Sequence, residues 1–297
     1  MTIDNSVWQE VCRGVRSHVP LAMYTRLQLG GLAEFFVEPE SETDLVALLK
    51  RCRINKIPVH ILGVGSNLLV TDTEVLGLTI RFSNPAFCGI RIDGQQVIAG
   101  AGAKLGQVIT QSVSCGLGGI EDLIGIPGSV GGSLLGNAGT NSGDLGQWVE
   151  SVRVANIDGE ILTLSKNEIS FGYRSSSLDD VIILSTTLRL EADNPIELAK
   201  RMQKLWIVRK MQQPGGELAS IYVFKNPATG TSAGDLIEQA GLKGTRIGGA
   251  VVSERNANFI MVEPNGTVED VQRLIRLIQE QVEIVTEIRL ERSLEVW

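Results

Sequence analysis

Residues 57–72 read IPVHILGVGSNLLVTD and residues 125–139 read GIPGSVGGSLLGNAG. The first stretch opens on an apolar run, Ile57 to Gly63, of the kind that forms a buried strand, and passes directly into Gly63-Val64-Gly65-Ser66-Asn67. Closely spaced glycines after a strand let backbone amides converge on one point, the geometry of an anion nest, and Ser66 and Asn67 add side-chain donors. No Gly-Lys-Ser/Thr follows, so this is not a P-loop. The G-x-G-x-x-G pattern is incomplete and no helix pattern begins there, so it is not the dinucleotide fingerprint. A plain tight turn is the competing reading. In the second stretch glycine is dense enough for backbone to lie flat against a planar or diphosphate ligand. A compact loop of unusual backbone angles is its alternative.

Outward from these loops the chain reads as α+β. Residues 43–53 form a helix, capped by Ser41 or Thr43, and 68–72 and 76–82 are strand-like. From Asn84 short strands and turns alternate: 88–92, Asp93-Gly94, 95–102, then 149–165 as a hairpin turning at Asp158-Gly159, and 181–192. Residues 103–116 read as a helix ended by Gly116. A long helix covers 196–213 and stops at Pro214-Gly215-Gly216, the domain boundary read from the sequence. The last section holds a strand (221–227), a helix (232–241), a strand (257–263), a helix from the Thr267 cap to Val282, and a strand-like end at 288–297.

Composition excludes several classes. The 297 residues carry a formal charge of −7, which argues against a broad nucleic-acid face. No run of about 18 apolar residues is present, so no transmembrane helix is expected. The start, with Asp4, Glu10 and Arg13, lacks the apolar centre of a signal peptide. Cys12, Cys52, Cys88 and Cys115 form no Cys-x-x-Cys pair and only His18 and His60 accompany them. Buried reduced thiols in a cytoplasmic protein are therefore expected, and no metal site. Glycine is enriched, 33 of 297 residues, against a usual level of roughly 7%.

Two further groups carry chemistry. In FGYRSSSL (171–178), Tyr173 and Arg174 form an aromatic–guanidinium pair beside three serines, and Arg174 is placed to stabilise an enolate or carboxylate. A surface arginine is the plainer reading. In VFKNP (223–227) and GLKGTRIGGAVVSERNANFI (241–260), Lys225, Asn226, Lys243 and Arg246 concentrate donors suited to an anionic substrate. Taken singly, each is as readily a solvated surface group.

These segments follow one another in a known order. TRLQLGG (25–31), VEPES (37–41), IPVHILGVGSNLLVTD, AGAGAKLG, GIEDLIGIPGSVGG, NAG, VESVRV, FGYRSSSL, FKNP, SAGDLIEQAGLKGTRIGGAVVSERNANFI and the closing helix together resemble the UDP-N-acetylenolpyruvoylglucosamine reductase (MurB) family nearly end to end. The compact FGYR-to-FKNP spacing is similar to the shorter class, which lacks an inserted tyrosine loop. The resemblance implies an α+β fold with a two-part FAD-binding module of the vanillyl-alcohol oxidase type. Its parts would be residues 1–83 with the terminal strand 288–297, and residues 84–213, followed by an α/β substrate-binding domain at 214–287. It implies FAD as cofactor, NADPH as reductant, a UDP-sugar substrate, a cytoplasmic setting in peptidoglycan synthesis that bears on cell shape and division, and cell-wall-synthesis proteins as candidate partners. No nucleic acid and no membrane insertion are implied. By analogy Gly63, Gly65, Ser66, Asn67, Ile126, Pro127, Gly128, Ser129, Gly131, Gly132 and Asn137 hold FAD. Arg174 stands at the arginine that stabilises the enolate-like intermediate. Tyr173, Lys225, Asn226 and Arg246 contact substrate.

The chain departs from the family pattern at two catalytic positions. Counting back from Phe224, the proton-donating serine of the Ser-Ala-Gly-Ser/Cys setting is Tyr222, and its preceding glycine is Ile221. Aligned without gaps from the closing helix, the catalytic glutamate is Ser293. A two-residue shift would bring Ser220 to the first position and Glu291 or Glu295 to the second, because side chains two apart share a strand face. Asn256 stands where the family has His. Two expectations follow: an active reductase with a rearranged proton donor, or a family member that binds FAD but has lost the reductase step and acts as a binding or partner protein. A different flavin oxidase on the same fold is weaker, since no His or Cys is placed as a covalent flavin anchor.

Overall fold

The computed structural model describes residues 5–8, 11–12, 14–215, 219–228 and 230–297. Asp4, Glu10, Arg13, Gly216 and the Glu217-Leu218 approach to the substituted serine lie outside them. The chain divides into two compact units: residues 1–19, 33–64 and 76–206, and residues 20–32, 65–75 and 207–297. This cut differs from the three segments read from the sequence. It falls inside the long helix Pro195–Gln212, ahead of Pro214, and assigns residues 65–75 and the C-terminus to the same unit.

The first unit is built on two sheets. One has the strand order Arg16–Pro20, Leu32–Val37, Val75–Arg81, Val59–Leu62, the last two parallel. The other is a five-stranded antiparallel sheet in the order Ile161–Ser165, Val149–Ala155, Ile182–Arg189, Gln96–Gly100, Ile90–Asp93. The strands Arg16–Pro20 and Leu32–Val37 have no counterpart in the sequence reading, although Leu32–Val37 is nearly all buried. Helix Glu42–Asn55 turns Leu45, Leu48, Leu49 and Cys52 inward at helical spacing. Of its two candidate caps it uses Ser41, whose Oγ accepts from Asp44 N at 3.1 Å. Helix Leu105–Ser114 buries Leu105, Val108, Ile109 and Val113 the same way and gives way to Gly116 at φ +72°. The second glycine stretch is not loop throughout: Val130–Leu135 is a short helix capped by Ser129.

The second unit carries a four-stranded antiparallel sheet, in the order Ala219–Tyr222, Phe259–Val262, Ala250–Val252, Arg246–Ile247. Helices Ala233–Gln239 and Val268–Thr286 pack on its core. The strand expected over 221–227 starts earlier and ends at Tyr222. The strand-like end is regular only at Glu295–Val296, which runs parallel to Leu68–Leu69, with an isolated bridge between Arg292 and Phe224. Both shortenings have one cause. Beyond Tyr222 the backbone leaves its sheet partner and bonds instead to Asn258 and to residues 291–293.

The four cysteines are free. Only Cys52 is fully buried, and burial pushes its thiol pKa up to about 12. Cys12 and Cys88 are half-buried and Cys115 is exposed, which corrects the expectation of buried thiols throughout. Among the described residues no helix is long and apolar enough to cross a membrane.

Helix Val268–Thr286 shows how the closing segment is fastened. Its Thr267 cap accepts from Asp270 N, and the Asp270 carboxylate in turn accepts from Thr267 N and, across the turn, from Gly249 N, each at 3.1 Å. The bond from Gly249, then that from Thr267, hold the Asp270 pKa below its ordinary 3.8. The unfolded chain therefore binds this proton more readily than the folded one. The resulting stabilisation is complete above pH 4 or so and is lost as pH falls through the lowered folded value. Urea titrations of wild type and Asp270→Asn should differ at pH 6 and converge as pH falls through the lowered folded value.

Candidate functional site

In the first unit, the two glycine stretches of the sequence meet. A Cβ on Gly63 would stand 2.5 Å from Ser129 Oγ, and one on Gly131 would stand 3.1 Å from Ala101 Cβ. The requirement for glycine at 63 and 131 is thus one of close packing inside the protein. Val130 N and Gly131 N bond to the carbonyls of Ala103 and Ala101, and Ile126 N to that of Leu123. Asn137 adopts φ +39°, which asparagine tolerates better than most residues, and is 2% exposed. Its Nδ2 donates to Gly172 O (2.9 Å) and its Oδ1 accepts from Gly146 N (3.0 Å). The side chain expected at FAD is therefore engaged in bracing two neighbouring segments.

Beside this junction lies a cavity of about 670 Å³, within the usual ligand-pocket range of roughly 300–1,000 Å³. Val64 and residues 124–128 line it. Lys104, Gln107, Thr110 and Gln111, around the Leu105–Ser114 helix, line it as well, together with Trp206. Apolar walls, one lysine and a large aromatic ring suit a planar ligand with an anionic part. Ile126, Pro127 and Gly128 were legible in the sequence. Lys104, Gln107 and Trp206 were not, because nothing local to them marks a cavity wall.

Tyr173 and Arg174 occupy the tip of a two-residue hairpin closed by the Gly172–Ser175 pair. Tyr173 is 57% exposed, and the Arg174 guanidinium lies 5.7 Å from its ring centre. Among the described residues Arg174 forms no ion pair. Arg174 also takes φ +55°, a conformation that costs an ordinary side chain roughly 1–2 kcal/mol.

The second unit gathers the remaining expected residues around residues 222–226. Asn258, 2% exposed, accepts from Phe224 N (2.9 Å) and donates to Phe224 O (2.8 Å), while its own carbonyl accepts from Val223 N (3.0 Å). On the other side Ser293 N donates to Val223 O (2.7 Å) and Lys225 N to Glu291 O (2.9 Å). Tyr222 and Ser293, the two departures from the family pattern, therefore stand on adjoining segments. The Tyr222 hydroxyl lies 3.4 Å from Asn226 Oδ1, and its ring packs edge-on against Phe259 at 5.4 Å. Asn226 Oδ1 also accepts from Ala233 N at 3.0 Å. Ser220 is 4% exposed, one pleat further from the loop.

The cations expected for substrate are paired. Lys225 Nζ lies 2.6 Å from Glu291, one of the two alternative glutamates. Arg246 pairs with Glu263, and Lys243 with Glu238 at 2.7 Å. Glu295 is exposed and accepts from Trp297 Nε1 at 2.9 Å. Asn67 donates to Ser293 O (2.8 Å) and its carbonyl accepts from Glu295 N (3.0 Å), so its side chain faces the C-terminal segment. Gly65, at φ +60°, is pressed against the chain before it: a Cβ there would meet Tyr24 O at 2.3 Å. Asn258 went unremarked in the sequence because a polar residue inside an apolar strand run carries no sign of its partner.

Comparisons with known proteins agree on the kind of chain this is. Residues 33–165 match the model of an FAD binding domain. Residues 213–297 match that of the C-terminal domain of UDP-N-acetylenolpyruvoylglucosamine reductase. The UDP-N-acetylenolpyruvoylglucosamine reductase of Rhodopirellula baltica is 36% identical over 97% of this chain and 94% of its own length. That of Moorella thermoacetica is 39% identical over 95% and 93%. The crystal structure of UDP-N-acetylenolpyruvylglucosamine reductase (MurB) from Thermus caldophilus superposes with a TM-score of 0.82 at 36% identity, covering 95% of this chain and 98% of that one.

The Arg174 backbone yields a measurable trade-off. Arg174→Asn, which adopts positive φ more readily, should raise stability by about 0.5–1 kcal/mol in urea unfolding. The same variant should lower turnover at least 100-fold if the guanidinium stabilises charge in the transition state.

Proposed function

Because the chain belongs to the UDP-N-acetylenolpyruvoylglucosamine reductase family, we propose that it converts UDP-N-acetylenolpyruvoylglucosamine to UDP-N-acetylmuramate at the expense of NADPH, a step of peptidoglycan synthesis. The observation that carries this reading is coverage: the likeness spans the substrate-binding C-terminal section as well as the flavin-binding section. The setting we infer is the cytoplasm, with effects on cell shape and division through the supply of wall precursor, and with other wall-synthesis proteins as candidate partners.

FAD, when bound, supplies the two-electron relay between NADPH and the enolpyruvyl group. The cavity walls and the packed glycine junction fit such a group. Gly63, Gly65, Ser66, Ile126, Pro127, Gly128, Ser129, Gly131 and Gly132 are the residues we assign to hold it. Asn67 and Asn137 contribute by fixing the loops, since their side chains are engaged elsewhere. Arg174 supplies positive charge for the carboxylate and for the negative charge that develops beside it. Asn226 orients the Tyr222 hydroxyl.

Tyr222 is our choice of proton donor. Its phenol carries a proton that it can donate. It sits half-buried where the polypeptide leaves the sheet, held by the Phe259 edge contact. Ser293 presents a smaller hydroxyl on the adjoining segment, whereas Ser220 is buried. Lys225, joined to Glu291, acts as half of an ion pair, so it can receive an anionic substrate only as that carboxylate yields.

The test is an anaerobic visible spectrum. NADPH should bleach the flavin band, and UDP-N-acetylenolpyruvoylglucosamine should restore it. Tyr222→Phe should bleach normally and recover about 100- to 10,000-fold more slowly, the usual loss on removing a positioned acid. Recovery at the wild-type rate would transfer the role to Ser293 or Ser220. Wild-type protein that bleaches and never recovers would be a flavin-binding family member without the reductase step.

A further inference from the structure

We propose that Arg26 is a diphosphate ligand of this site, presenting its terminal guanidinium nitrogens to anionic oxygens beside the Gly65–Asn67 loop. The proposal rests on the reductase reading, which supplies two diphosphates, that of FAD and that of the UDP-sugar.

The placement of Arg26 is tightly determined. Its backbone N–H donates to Gly65 O at 3.0 Å, so it is hydrogen-bonded to the glycine loop itself. The contact is close along its length: a Cβ on Gly65 would fall 2.8 Å from Thr25 Cα. Thr25, 6% exposed, is pinned in turn by its hydroxyl donating to Leu29 O at 2.8 Å. The Arg26 side chain then reaches to the strand that bears Tyr222, where Nε donates to Ser220 O at 3.0 Å. That bond fixes the plane of the guanidinium and leaves Nη1 and Nη2 as a fork for phosphate or carboxylate oxygens.

Its guanidinium is bonded to a backbone carbonyl and not to a carboxylate. The three cations that the sequence reading put forward for this unit each face a carboxylate: Lys225 with Glu291, Lys243 with Glu238, Arg246 with Glu263. Among the described residues Arg26 forms no such pair, and its guanidinium is partly buried, which lowers its pKa by desolvation. An arginine oriented by a neutral carbonyl, on a segment whose backbone is bonded to a glycine loop, has the form of an anion anchor.

The experiment compares wild type, Arg26→Ala and Arg26→Lys. FAD retention is read from flavin fluorescence released on dilution of the holoenzyme. Affinity for UDP-N-acetylenolpyruvoylglucosamine is read by calorimetry on the holoenzyme without NADPH, at two salt concentrations. Loss of a charge-assisted contact should raise one of the two dissociation constants about 10- to 100-fold in Arg26→Ala. The salt dependence of that constant should flatten, with Arg26→Lys intermediate. A raised FAD constant identifies the cofactor diphosphate, and a raised substrate constant that of the UDP-sugar. Both constants within twofold of wild type would overturn the proposal. So would weakening in which wild type and Arg26→Ala share the same salt slope, since that marks a packing role. Wild-type holoenzyme that does not bind the UDP-sugar would overturn the reductase reading instead, and the FAD arm would still decide the role of Arg26.

Discussion

The three peptide units at residues 223–225 are held by a demand for hydrogen-bond partners, and the residues expected to act in the second unit stand around them. A strand that leaves its sheet exposes N–H and C=O groups that must be satisfied elsewhere. Here Asn258 closes both groups of Phe224, and residues 291–293 close those of Val223 and Lys225. Phe224 is fully buried, so its unpaired groups would each cost about 1–3 kcal/mol. Once this joint is made, Tyr222, Lys225, Asn226, Glu291 and Ser293 have no freedom to lie apart. Their proximity is a by-product of satisfying the backbone.

Charge in this unit follows the same economy. Lysines and arginines that appear in the sequence as an anion-binding set are largely compensated by glutamates, as partly exposed pairs usually are, at small gain to stability. Arg174 in the first unit and Arg26 in the second have no carboxylate partner among the described residues. Each is held by something other than a carboxylate, an aromatic ring in one case and a carbonyl in the other.

Glycine needs a different explanation from the one its density suggests. At Gly63, Gly65 and Gly131 a side chain is excluded by other parts of the chain. The loops are thin because they pack on one another, and that packing sets the walls of the neighbouring cavity. Ligand contact is then a consequence of where the thin loops lie.

The content of each element was already legible in the amino-acid pattern. Caps, a terminating glycine and apolar spacing placed helices at 43–53, 103–116 and 267–282, and the structure forms them at 42–55, 105–114 and 268–286. Motif order established the family, because many short matches in sequence are independent constraints. Only the tertiary structure decided the partnerships. That Asn258 clasps Phe224, that Lys225 meets Glu291 sixty-six residues away, that Asn67 turns to Ser293, and that Arg26 reaches Ser220 are long-range choices. No local pattern encodes them. Hydrogen bonds and ion pairs are specific to the atoms they join, whereas a sequence displays only the residue types available to join.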